Sequence, residues 1–390
     1  MTNRKSVLLF LFSFFLLIAA AAPSQAQNNG GRAASSSTVD VMYVQQNDSI
    51  LTYNVNPQTG EATQAGQPLT LNALNNYIGL VPSPTDHFLN VLWFDSSSKK
   101  YLYVYDTDAF GVPQAKPVQR LSALYIAGFQ ADPNGKFDYA LRLWQNKNGA
   151  YVSDIRLFTV DSSSGKLTES PVVQARYAPN YYYTAGLFGF NGSGSKMYDT
   201  WNVNFDGEAA STYYYRTADP NTGALGPDTQ IFYWSDWTSS DQVLLTRNLI
   251  IDLSRPDSLQ QYQTVKVFRQ ANNGTPLINC TATMLAACNT TGNIAVDPSG
   301  QYVFLTPSNV TQVARIDVTN KQIVDTGNSI PGTPQIFFSQ DGRLVYALID
   351  NYNGTSTIQV YRFDKQTGAL TAGSQISLST VWGLTPAERR

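Results

Sequence analysis

Residue types that usually carry chemistry are scarce in this chain. It holds one histidine, His87, and two cysteines, Cys280 and Cys288. A base or metal shell built on imidazole therefore has a single starting point. There is no P-loop, no GxGxxG after a strand, no HExxH and no GxSxG. What recurs is an aromatic residue close to a polar or charged one. Examples are Trp93 with Asp95, Arg142 with Trp144, and Trp201 with Asn202. Arg247, Asn248, Trp234 and Asp350 lie at similar points between apolar runs. Aromatic faces bury area at low entropy cost, and adjacent polar groups give direction, which suits a small molecule, a glycan or a peptide. Arg142 and Arg247 are the catalytic candidates, because a guanidinium can stabilise charge developing on a carbonyl oxygen. The same aromatics would also suit packing between strands.

Two further groupings read as structural. Seven residues separate Cys280 from Cys288, with no CxxC and no histidine nearby. In an exported chain such a pair forms a disulfide rather than a redox or metal centre. Asp199, Asp206 and Glu208 are close in sequence and read as carboxylates of a solvated loop, not as the paired acids of a glycosidase. No metal site and no cofactor is expected. A structural cation is not readable from sequence.

The elements that must position these residues repeat every 40 to 55 residues or so, the period range of propellers. One landmark is a turn of the Ser/Asp-Pro-x-Gly type. It occurs at 83–86, 132–135, 191–194, 297–300 and 339–342, with a degenerate copy at Ser239-Ser240-Asp241. Proline presets φ for such a turn, and Gly or Asp accepts its unusual backbone angles. The second landmark is a strand ending in a polar turn with Thr/Ser-Gly, as at 53–60, 158–165, 215–223 and 363–368. Looser copies end near Gly111 and Asn320. Between landmarks the pattern alternates, as in Tyr101-Leu102-Tyr103-Val104-Tyr105, and period two means strands.

Each repeat thus holds about four strands, the content of a propeller blade. Full blades fall near 76–121, 123–175, 181–232, 233–288, 290–330 and 332–378. Two fragments remain. Residues 39–72 lack a first strand, and Val381 to Pro386 looks like an orphan first strand. Joined, they make a seventh blade that closes the ring and removes exposed sheet edges. The expected fold is all-β: a seven-bladed propeller over 39–390.

Before it, Arg4, Lys5 and the apolar run from Val7 to Ala22 read as a signal peptide cut after Ala26. Residues 27–38 read as a flexible linker. The apolar run is short for a bilayer span, which needs roughly 20 residues, so a secreted chain with no membrane span after cleavage is expected. Charged residues are only 14% of the chain and the net charge is −2. That excludes the basic stripe needed to bind nucleic acid electrostatically. A monomer is expected.

The turn motifs Asp132-Pro133-Asn134-Gly135-Lys136-Phe137, Val296-Asp297-Pro298-Ser299-Gly300 and Phe338-Ser339-Gln340-Asp341-Gly342 resemble those of the lactonase-type seven-bladed propellers, the 6-phosphogluconolactonase-like family. So does the stretch from Tyr361 to Thr371. The resemblance covers nearly all of 39–390 and is clearest after about residue 290. It implies a site at one mouth of the central channel, using histidine, arginine and acidic side chains. Aligning the repeats puts second-strand ends at 93–95, 142–144, 201–202, 247–248, 307–308 and 349–350. It starts first strands at 78–79, 127–128, 186–187, 233–234, 292–293 and 334–335. His87 falls on a turn at the opposite end, as a solvated residue. The leading expectation is therefore a ligand- or partner-binding module. The alternative is a sugar-lactone hydrolase, a carboxylic-ester hydrolase like the family it resembles.

Overall fold

Alternating burial explains why these segments are strands. In Thr355–Phe363 the residues Ser356, Ile358 and Val360 are buried while their neighbours are more open. Such period-two patterning commits a segment to a pleated sheet. The computed structural model describes residues 39–389 except 72, 85–86, 96–98, 124, 181–183, 206–207, 235–239, 247, 255–263, 270–274, 283, 289, 291–293 and 352.

Among the described residues the strands form seven four-stranded antiparallel sheets. The first blade holds β1 (Val39–Gln46), β2 (Ser49–Val55) and β3 (Ala62–Thr70). The second holds β4 (Ala73–Pro82), β5 (Phe88–Asp95), β6 (Lys100–Asp106) and β7 (Gln119–Ser122). The third holds β8 (Ile126–Ala131), β9 (Phe137–Gln145), β10 (Tyr151–Val160) and β11 (Leu167–Asn180). The fourth holds β12 (Thr184–Phe190), β13 (Lys196–Phe205), β14 (Glu208–Ala218) and β15 (Leu225–Trp234). The fifth holds β16 (Ser240–Leu245), β17 (Leu249–Ser254), β18 (Thr264–Arg269) and β19 (Ile278–Cys280). The sixth holds β20 (Ile294–Val296), β21 (Tyr302–Leu305), β22 (Val310–Asp317) and β23 (Gln322–Pro331). The seventh holds β24 (Gln335–Phe338), β25 (Leu344–Asp350), β26 (Thr355–Phe363) and β27 (Leu370–Ser379). The last strand, β28 (Val381–Arg389), pairs with β1 and completes the first blade.

The first strands β28, β4, β8, β12, β16, β20 and β24 touch their neighbours in succession and close a ring around the axis. The seams between blades are apolar. Each of the seven seams is filled by its own hydrophobic cluster. Strand parity decides which seam a side chain enters. Tyr139 and Leu141 of β9 face the fourth blade, whereas Ala140 between them faces the second.

The repeated turns take the places expected of them. In the first turn type, the Asp132 N–H donates to the Phe137 carbonyl and the Gly135 N–H to the Asp132 carbonyl, with the same pair of bonds at Asp297 and Ser339. In the second, Lys321 adopts a φ of 55°, a left-handed conformation that elsewhere in these turns falls to glycine.

The fifth blade departs from expectation. Ser240 opens the first strand β16, and Thr246 and Asn248 lie between β16 and β17, where the Thr246 Oγ1 accepts from the Leu249 N–H at 3.0 Å. The degenerate turn at 239–241 is therefore not a turn between first and second strands. Tyr233 and Trp234 end the outer strand β15 rather than starting a first strand. The link between β16 and β17 carries neither Pro nor Gly, the residues that mark this turn in other blades. Asp199 is also corrected. It lies within β13, buried at 1% exposure and paired with Arg216 at 3.3 Å, not in a solvated loop.

Cys280 and Cys288 form a disulfide with Cα atoms 5.6 Å apart, both buried in the seam between the fifth and sixth blades. The expected signal peptide and linker lie outside the described residues. Among the described residues, no helix is long and apolar enough to cross a membrane.

Candidate ligand-binding mouth

One end of the ring gathers the starts of first strands and the ends of second strands. In the third blade, Ile126 at the start of β8 pairs with Arg142 near the end of β9. Just before β8, the Tyr125 carbonyl accepts from the Leu143 N–H at 2.8 Å. This bond fixes Tyr125 against β9. Its ring lies 6.1 Å from that of Trp144, and its side chain stays 49% exposed. The guanidinium carbon of Arg142 sits 5.4 Å from the Trp144 ring centre, within the reach of a cation–π contact.

Arg142 is held from beneath. Its Nε donates to Asp154 Oδ1 at 2.8 Å and its Nη2 to Asp154 Oδ2 at 2.7 Å. Asp154 lies opposite Arg142 on β10 and is fully buried, while the Arg142 side chain is 25% exposed. This two-point bond raises the Arg142 pKa above its ordinary value, against the opposing effect of burial. Arg156 approaches the same carboxylate, with Nε 3.4 Å from Asp154 Oδ2, and reaches Glu169 at 3.8 Å. Lys100, at the start of β6, is buried and donates through Nζ to the Ile126 carbonyl. Burial pulls its pKa down to about 8.

Arg142 and Trp144 thus share one cluster. Trp93 does not join it. Its ring is buried in the seam between the first and second blades, with the Tyr103 ring centre 5.3 Å away. Asp95 ends β5 at the mouth, and Trp201 and Asn202 lie in β13 towards the same end. Trp234 leads out of β15 towards the fifth blade. Asp350 ends β25 as an exposed mouth residue. Asn248 is displaced. It is exposed in the turn between β16 and β17, at the end of the blade away from the mouth. Arg247 lies outside the described residues. His87 precedes β5, half exposed, with Nε2 3.4 Å from Asp106 Oδ1. Its carbonyl accepts from the Thr107 N–H and hydroxyl. It occupies the far end of the strand that runs to Asp95.

Several members of the mouth escaped the sequence. Tyr125 sits in no alternating run. Asp154 looks like any strand residue until its register opposite Arg142 is known. Trp382 is 50% exposed near the start of the inner strand β28, at the end where Val381 pairs with Gln46. Its place in the orphan strand was the one available signal.

The fold is that of a seven-bladed propeller of four-stranded blades. No protein-family model matches the chain, and no curated protein matches it in sequence. Solved structures do match in shape. One is a "putative 6-phosphogluconolactonase" from Bacteroides uniformis, with a TM-score of 0.62 and 14% identity, covering 90% of this chain and 100% of that one. A protein of the same description from Bacteroides fragilis gives a TM-score of 0.56 and 15% identity, covering 92% and 100%. A hypothetical selenium-binding protein from Sulfolobus tokodaii gives 0.57 and 10%, covering 92% and 94%. At such identities the likeness is one of fold.

Proposed function

We propose that the protein is an exported, monomeric propeller that binds a glycan or sugar-like ring at its mouth, without a cofactor and without nucleic acid. One observation carries this reading: Tyr125 and Trp144 stand beside each other, with Arg142 set against Trp144 by the buried Asp154. A ring can lie on the aromatic faces while a positioned donor orients its hydroxyls. Export is supported by the apolar N-terminal run and by the disulfide. The test is titration of the mature protein with a panel of neutral and acidic oligosaccharides, followed by tryptophan fluorescence. Trp144→Ala and Tyr125→Ala should each weaken binding at least about fivefold, equivalent to ~1 kcal/mol. Saturable binding indifferent to both changes, or none across the panel, would sink the reading.

A second reading is hydrolysis of a sugar lactone. It is favoured by the fold shared with the Bacteroides proteins and by a guanidinium at the mouth. It needs a proton acceptor there, and His87 stands at the other end. Lactone turnover abolished by Arg142→Gln would establish it in place of simple binding.

A further inference from the structure

We propose that the mouth is specific for a carboxylated sugar, a uronate, whose carboxylate docks on the outer edge of the Arg142 guanidinium. The inference rests on the glycan-binding reading above and narrows its ligand.

A guanidinium carries five N–H groups in a rigid fork. In Arg142 the edge formed by Nε and Nη2 is spent on Asp154. The remaining edge, Nη1 with the second hydrogen of Nη2, has no acceptor among the described residues. Two parallel N–H groups on one edge match the two oxygens of a carboxylate. The inner bond sets the aim of the outer one. Because Asp154 is fully buried and bound at two points, the guanidinium cannot swing to follow a ligand. It presents one edge in one plane.

Charged side chains crowd this point. Lys100, Arg142 and Arg156 face the seam between the second and third blades near this point, against the carboxylates of Asp154 and Glu169. Asp154 is shared by Arg142 and Arg156, and Glu169 meets Arg156 on its other side. Trp144 and Tyr125 supply the surface for the sugar ring beside that edge. A planar, singly charged carboxylate suits one two-hydrogen edge. A phosphate, with three oxygens around a tetrahedral centre, would call for further donors.

The experiment is calorimetric titration with three ligand series of matched length: oligouronates, the corresponding neutral oligosaccharides and sugar phosphates. The full mature protein is compared with Arg142→Gln and with the double variant Arg142→Gln/Asp154→Asn. The double variant replaces the buried ion pair by two amides and so guards against misfolding from a stranded carboxylate. Oligouronates should bind at least about tenfold more tightly than neutral sugars. Both variants should lose that preference, binding acidic and neutral sugars alike, and in the unaltered protein the preference should shrink with added salt. Equal binding of acidic and neutral sugars would overturn the carboxylate assignment and leave glycan binding standing. Tighter binding of the sugar phosphates would likewise overturn it. Binding of none of the three would overturn both.

Discussion

The Tyr139 hydroxyl donates a 2.8 Å hydrogen bond to the carbonyl of Gly223, 84 residues further along the chain. The bond crosses the seam between the third and fourth blades and ties an outer turn to the neighbouring blade's second strand. The same device recurs from Tyr43 to Gly111 and from Tyr302 to Gln366. Gly223 holds a φ of 68°, and a Cβ there would meet the Phe137 ring at 2.8 Å. Tyr139→Phe leaves a buried carbonyl unsatisfied and should cost about 1–3 kcal/mol. Gly223→Ala adds backbone strain and overlap and should cost more. Urea unfolding of both variants checks the order.

Asp138 makes a pH-dependent contribution to stability. It is fully buried between the second and third blades, and desolvation pushes its carboxyl up to about 8. The amide of Asn90 donates to it at 3.2 Å and pulls the other way, while Asp132 adds to the rise. Asn90 Oδ1 is buried with no partner among the described residues. A protonated Asp138 can supply that donor. The unfolded chain releases this proton near pH 4, the folded one only near pH 8. Between those values the folded state binds the extra proton, so stability falls as pH rises, by up to about 1.4 kcal/mol per unit. Asp138→Asn should flatten that slope in urea midpoints measured from about pH 5 to about pH 8.

Replacing both Cys280 and Cys288 by alanine should lower stability by about 2–3 kcal/mol, the loop-closure entropy of so short a ring. The disulfide joins β19 to the 3-10 turn at Ala286–Cys288, so the effect should appear first as faster amide exchange in the fifth and sixth blades. Uniform exchange across the ring would contradict that localisation.

Ring closure rests on β28. Leu384 is buried between the first and seventh blades, and Val381 donates to the Ser356 hydroxyl at 3.0 Å. Leu384→Asp buries an unpaired charge in that seam. The variant should lose cooperative unfolding and expose β1 as a free edge prone to association. Light scattering and the unfolding transition together report both effects.

The architecture was legible because it is local. Turn residues such as Asp132-Pro133-Asn134-Gly135 and the alternation in β6 and β26 are set by backbone sterics and the pleat, and they repeat. Even the closure of the first blade by Val381 to Pro386 followed from two fragments that each lacked what the other had. The fifth blade hides its first turn from the sequence, because the link between β16 and β17 carries neither Pro nor Gly. The position of Asn248 at the wrong end follows from that one turn.

The mouth was legible only in part. Arg142 and Trp144 could be placed by counting along a repeat. Sequence could not separate Trp93, sealed in a seam, from Trp144, half-buried at the rim, because both end a strand beside an aromatic or charged neighbour. Which face of the blade a residue enters depends on parity, but whether that face is covered depends on residues dozens of positions away. The partnership of Arg142 with Asp154 has the same origin. Composition and local pattern determined that this chain is a ring of seven four-stranded sheets. Only the antiparallel register of β9 and β10, and the packing of the blades around the axis, decided which charges are paired and which aromatics meet solvent, because those are properties of contacts between distant parts of the chain.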